Sequence, residues 1–196
     1  MPVAVIIPIR SFTDGKERLS AALAPRVRTQ IGMAMALRTV TAAESAAMLP
    51  AVVTSDEGVA SWAVSLGIPV AAEEGGGLNG AARAGVAWAR ESGLQWLILH
   101  SDLPLVVSTD LAELADRIER GAEVLAPSAD GGTTALSAAE PIVFRYGKGS
   151  AQRHLSQLTN PVIVARTGLL HDLDSIEDLH AATAHPEGRW LRDLIS

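Results

Sequence analysis

The run LQWLILHSDLPLV, residues 94–106, drives an apolar stretch inward and stops it at His100, Ser101 and Asp102, with Pro104 two residues beyond the Asp. A carboxylate at the tip of a buried strand can hold a cation or a substrate, although an Asp ahead of a proline also serves as a plain turn. The loop PIRSFTDGKERLS adds Arg10, Lys16 and Arg18, with Asp14 and Gly15 allowing a tight turn. Such a loop beside a strand's carboxyl end can hold triphosphate oxygens, or it can be a solvated charged loop. In HDLDSIEDL, Asp172 and Asp174 precede a helix. They are expected to point to opposite sides, so that one of them partners Asp102 across a divalent cation. Mg²⁺ suits that arrangement, because it takes one or two carboxylates together with phosphate oxygens and water.

Three glycine-bearing loops could receive an anion. GGGLNG formally matches G-x-G-x-x-G through Gly75, Gly77 and Gly80, which opens an NAD-binding reading. Against it, Glu73 and Glu74 abut the turn and would repel a pyrophosphate, and the motif follows the third strand rather than the first. A loop whose amides and Asn79 wrap a nucleotide base is the better functional reading. SADGGTTALS, 128–137, is read as a loop in which Gly131 and Gly132 let the backbone approach a ligand and Thr133 and Thr134 offer hydroxyls. YGKGS, 146–150, offers two glycines and then Ser150 at a helix start, where exposed amides favour phosphate or carboxylate.

These loops need elements to hold them. Apolar periodicity predicts strands at 3–9, 51–55, 68–73, 95–101, 122–128, 140–146 and 161–166. Helices are predicted at roughly 25–48 (ended by Pro50), 57–67, 79–93, 108–121, 150–158 and 175–184. Gly67, Gly93 and Gly121 close three of them, and Asp110/Glu113, Ser150 and Ser175 are read as caps. Alternating strands and helices imply an α/β/α sandwich of three layers around a mostly parallel mixed sheet, in one domain spanning 1–196. Ligands of such sheets bind beyond the strands' carboxyl ends, where Asp102 is expected.

Composition narrows the chemistry. The net charge of -6 supplies no basic field for nucleic acid. With no cysteine there is no disulfide, thiolate catalysis or Cys-based metal site. The histidines show no HExxH spacing, and neither a P-loop nor a G-x-S-x-G elbow occurs. The apolar start is too short for a signal peptide or a membrane span, so a soluble cytoplasmic protein is expected.

Taken in order, PIRSFTDGKERLS, VVTSDEGVA, GGGLNGAARAG, HSDLPL, DGGTTAL, FRYGKGSAQRHL and DLDSIEDL resemble the 2-phospho-L-lactate or phosphoenolpyruvate guanylyltransferases of coenzyme F420 biosynthesis. The resemblance covers nearly the whole chain and implies a nucleotide-diphospho-sugar transferase-like fold. It implies that Lys16 and the surrounding loop, Arg10 included, bind the phosphates of GTP. Thr54, Leu78, Asn79 and Ala82 would line the guanosine pocket. Asp102 would hold Mg²⁺ with Asp174 or Asp172, and Lys16 and Asp102 would carry the chemistry. Thr133, Gly147 and Ser150 would bind a phosphorylated three-carbon acid. A downstream transferase of the F420 pathway would take the product, and a homodimer is left open. Arg10 stands where the family leads one to expect Lys, Thr134 where Asn is common, and Ala151 where a larger residue is frequent. The rival readings are another nucleotidyltransferase of the same fold, acting on a molybdenum cofactor or a sugar phosphate, an NAD-binding oxidoreductase, and a non-catalytic GTP-binding module.

Overall fold

The structure, a computed structural model, describes residues 1–13, 16–73 and 75–195. The turn expected at Asp14 and Gly15 and the charge of Glu74 lie outside those residues. Among the described residues, the strands are β1 (Val3–Pro8), β2 (Leu49–Thr54), β3 (Val70–Ala72), β4 (Gln95–Leu99), β5 (Glu123–Pro127), β6 (Thr133–Ser137) and β7 (Pro161–Ile163). They form one sheet in the order β3-β2-β1-β4-β6-β5-β7. Only β6 runs against its neighbours β4 and β5; the remaining pairings are parallel.

The pleat sorts β1 residue by residue. Val3, Val5 and Ile7 enter one core with α1 (Pro25–Ser45), α2 (Glu57–Ser65) and α4 (Ser108–Glu119). Ala4 and Ile6 enter the other with α3 (Gly77–Glu91) and side chains flanking α5 (Ser150–Leu155). Both faces of the sheet are therefore covered, and β1 reads as a continuous apolar run. Gly85 lets α3 settle closely on the sheet, since a Cβ there would lie 2.2 Å from Ile6 Cγ2.

A third cluster lies off the sheet. Leu19, Ile31, Met35, Leu105, Leu173, Leu179 and Leu191 pack together. The cluster joins the loop after β1 to the C-terminal segment, which holds α6 (Thr167–Leu170), α7 (Ile176–Ala184), a 3₁₀ turn (Pro186–Leu191) and α8 (Arg192–Ile195). Periodicity did not predict α6, the 3₁₀ turn or α8, which are too short to show it.

Several sequence expectations are corrected. Residues 140–146 form no strand, and residues 133–137, read as loop, form β6. In 140–146, side chains take the backbone groups that a neighbouring strand would use. Gln157 accepts from Val143 N–H at 2.8 Å and donates to its carbonyl at 3.0 Å. His154 Nε2 accepts from Arg145 N–H at 2.9 Å and Asn79 Oδ1 from Tyr146 N–H at 2.8 Å. The Gly131–Gly132 stretch is a hairpin turn between β5 and β6, closed by Ser128 N–H to Gly132 O at 3.0 Å, with Gly131 at φ 85°.

Pro50 lies inside β2 rather than merely ending α1. Because β3 joins β2 only from Val52 onward, Pro50 sits where β2 borders no further strand and a missing N–H is tolerated. Asp110 is the third residue of α4, not its cap, and its carboxylate accepts from Val107 N–H at 3.3 Å. Glu113 instead pairs with Arg117 and Arg166. The residue capping α5 is Gly149, with Ser150 the first helical residue. Ser175 does cap α7, accepting from Asp178 N–H at 3.2 Å.

Candidate active site

A cleft of about 740 Å³ opens along the carboxyl ends of β1, β3 and β4. Arg10, Lys16, Leu78, Asp102 and Asp174 line it, as do Glu73, Gly75 and Gly77 of the glycine loop. Phe12, also on the wall, anchors the loop after β1 by an edge-to-face contact with Trp62, ring centroids 5.1 Å apart.

Lys16 Nζ lies 3.1 Å from Asp102 Oδ2 and 3.1 Å from Asp174 Oδ1. Three residues far apart in the chain meet because their neighbours are buried together. Leu19 and Leu173 share the third apolar cluster. Leu173 N–H also donates to the Asp102 carbonyl at 3.0 Å, seating Asp174 beside the tip of β4. Lys16 adopts φ 62°, the left-handed region, and its carbonyl accepts from Leu19 N–H at 2.9 Å. Burial works against the Lys16 charge, yet the two carboxylates outweigh it and raise its pKa. Burial likewise works against ionised Asp102, and Lys16, then His100, overcome it and lower its pKa.

Asp172 and Asp174 are not opposed as expected. In an extended segment, residues two apart share a side, and the backbone separates both from the intervening Leu173. Asp174 makes the contact with Lys16, whereas Asp172 has its carboxyl pushed up to about 6 by burial and by the charges of Asp102 and Asp174.

The donor set suits Mg²⁺. Asp102 Oδ1 is buried without a hydrogen-bond partner, and its Oδ2 and Asp174 Oδ1 already face a cation. No cluster of three or more His, Asp or Glu ligands occurs among the described residues. Two carboxylates that leave most positions to phosphate and water match an ion that keeps its waters, rather than an all-protein cage.

Other singled-out residues lie elsewhere. Ala82 is fully buried between α3 and the sheet, so its neighbour Ala81 lines the cleft instead. Thr54 is buried with its hydroxyl accepting from Asp56 N–H at 3.0 Å, and Ser55 faces the cleft. The Asn79 amide holds the 140–146 segment through Tyr146.

Thr133 and Ser150 come together as a buried pair, with Ser150 Oγ 3.1 Å from Thr133 Oγ1. Because β6 is reversed, its start lies at the edge where the parallel strands end, and His100 N–H donates to Thr134 O at 2.9 Å. Thr134 turns its own hydroxyl away to the carbonyls of Leu169 and Ala126. Gly147 stands at φ 113° in a loop that Arg153 clamps by donating to the carbonyls of Arg145, Gly147 and Lys148.

Sequence reading missed Arg28, Gly32 and Met35 on the cleft wall, where a helix face carries no local signal. It also missed His154 beneath the Thr133–Ser150 pair.

The sheet order and the carboxylate cleft at its strand ends define a nucleotidyltransferase-type α/β enzyme. A solved structure from Desulfovibrio desulfuricans described as a nucleotide-diphospho-sugar transferase matches with TM-score 0.77 at 12% identity, covering 100% of this chain and 97% of that one. A cytidylyltransferase from Leptospira borgpetersenii matches with TM-score 0.58 at 14% identity, covering 100% of this chain and 92% of that one. The family described as guanylyl transferase CofC like matches residues 3–193, and the chain belongs to that family. A 2-phospho-L-lactate guanylyltransferase from Methanothermobacter thermautotrophicus is 31% identical, covering 100% of this chain and 90% of the relative. A phosphoenolpyruvate guanylyltransferase from Rubrobacter xylanophilus is 35% identical, covering 91% and 92%.

Proposed function

We propose that this protein transfers GMP from GTP to the phosphate of a phosphorylated three-carbon acid, phosphoenolpyruvate or 2-phospho-L-lactate, in coenzyme F420 biosynthesis. The observation that carries the reading is the Lys16 ammonium held between Asp102 and Asp174 in the cleft, in a chain of the guanylyl transferase CofC-like family. A phosphate oxygen of the acid attacks the α-phosphorus of GTP. The bond from that phosphorus to the β-phosphate oxygen breaks, and pyrophosphate leaves. The nucleophile is already an anion, so no general base is needed.

The protein's task is to bring two anions together against their Coulomb repulsion. Asp102 and Asp174 would hold Mg²⁺, whose charge offsets that of the polyphosphate. Lys16 and Arg10 bind phosphate oxygens, and Leu78 with the amides at Gly75 and Gly77 receives the nucleoside. Thr133, Ser150 and the Gly147 loop bind the acid. Positioning and fixed charge then carry the reaction, as in phosphoryl transfer generally. Glu73 on the cleft wall disfavours the NAD reading, since a carboxylate there repels a pyrophosphate at the glycine loop. The cytoplasm is the compartment we propose; among the described residues no helix is long and apolar enough to cross a membrane.

A pyrophosphate-release assay across the four NTPs, with phosphoenolpyruvate, 2-phospholactate and sugar phosphates as acceptors, tests the reading. Release is expected only with GTP, Mg²⁺ and a three-carbon acid. Release with a sugar phosphate instead would move the protein to the rival class.

A further inference from the structure

His154 is fully buried, and both of its ring nitrogens are engaged. Nε2 lies 2.9 Å from Arg145 N, and a backbone N–H can only donate, so Nε2 is unprotonated. The ring proton of the neutral imidazole is therefore on Nδ1, which donates to Thr133 Oγ1 at 3.0 Å. Burial holds the ring's pKa down to about 4, with neighbouring Arg153 and His100 adding to the effect.

One consequence is a proton count. With His154 filling an acceptor position on Thr133, the Thr133 and Ser150 hydroxyls share one hydrogen bond between them. Two hydroxyl protons serve that single bond, so the pair keeps one O–H that His154 cannot accept. We propose that His154 is a positioning residue: by fixing one tautomer beneath Thr133, it turns the Thr133–Ser150 pair into an obligate donor for the acceptor acid's anionic oxygens. The same ring accepts from Arg145 N–H ahead of the Gly147 loop, and that bond is what fixes the tautomer. This rests on the acceptor assignment above. The opposite tautomer would leave Nδ1 accepting, draw the hydroxyl protons inward and turn oxygen lone pairs toward the acid.

The two amide variants separate the bonds. In His154→Asn the amide nitrogen replaces Nδ1 and keeps donation to Thr133. In His154→Gln the amide oxygen replaces Nε2 and keeps the Arg145 bond but not the donor. Steady-state KM for acceptor and for GTP is measured in both, alongside melting temperature. His154→Gln is expected to raise the acceptor KM about tenfold or more and to leave the GTP KM within about twofold. His154→Asn should hold the acceptor KM within about threefold. A purely structural role would move both variants alike, and that result overturns the proposal, as does an unchanged acceptor KM in His154→Gln.

If neither variant folds, Thr133→Val carries the test with the same acceptor-selective rise expected, and its absence is decisive against the proposal. Nitrogen NMR of the unsubstituted protein at neutral pH should show Nδ1 protonated and Nε2 bare; the reverse overturns the proposal whatever the turnover. No pyrophosphate release with any acid would remove this inference together with the reading beneath it, whereas turnover with an indifferent His154→Gln removes this inference alone.

Discussion

The cleft around Asp102 and the buried cluster around Thr133 are built on opposite principles. Around Asp102 the groups are charged and open to the cleft, and one is orphaned: Lys16 pairs with Asp102 and Asp174, while Asp102 Oδ1 has no partner. Around Thr133 the groups are neutral and buried, and they bond one another: Thr133, Ser150 and His154 are each under 3% exposed. A charged half must rearrange when its ligands arrive, since a lysine cannot neutralise two carboxylates and bind phosphate as well. A neutral half can be set before binding, because its mutual hydrogen bonds hold the geometry and leave one O–H to give. On the proposed reading, the reactant carrying the most charge would meet the adaptable half, and the smaller acid would meet the rigid one.

The comparison can be broken most easily at Asp102. Asp102→Asn is expected to fold with a near-normal melting temperature and to lose about 10²–10³-fold in kcat. Near-normal turnover at limiting Mg²⁺ would sink the metal role. On the neutral side the expected signature is in stability. The His154 pKa is lowered from 6.5 to about 4, so the unfolded chain binds the extra proton between those values. Its contribution is fully present above pH 6.5 and drains away as pH falls toward 4. The loss is on the order of 2–3 kcal/mol. Melting curves of wild type and His154→Asn should converge across that window, and parallel curves would contradict a buried neutral ring.

Ser150→Ala sharpens the contrast further. It should raise the acceptor KM about tenfold and leave the GTP KM near its wild-type value; equal changes in both would mean that the two halves are not separate subsites. The smallest effect is expected at Lys16. Lys16→Met frees both carboxylates, so Mg²⁺ added without nucleotide should bind about three- to fivefold more tightly by calorimetry. Unchanged or weaker affinity would show that the ammonium does not compete with the ion.

The buried strands β1, β2 and β4 were legible because short continuous apolar runs bounded by turns have few other uses. Asp102 was legible because a carboxylate after such a run marks a strand end. The β6 strand was not, because its threonines and preceding glycines read as loop when a hairpin's partner is out of view. Residues 140–146 misled in the other direction: Ile142, Val143 and Phe144 carry strand propensity, but propensity does not say whether a neighbour's backbone or a side chain will satisfy the amides. Thr54 and Ala82 were placed on the cleft, where Ser55 and Ala81 stand, because one step along a strand end or a helix decides which side chain faces out.

The chain by itself determined the alternation of strands and helices, the apolar faces and the family, since these depend on residue type over short, contiguous spans. Tertiary structure decided which distant groups meet. Lys16 reaches Asp174 only because Leu19 and Leu173 are buried in one cluster, and Thr133 reaches His154 only because β6 runs backwards beside β4. Hydrogen bonds and ion pairs act over a few ångströms, and only the folded packing brings residues that are remote in sequence within that range.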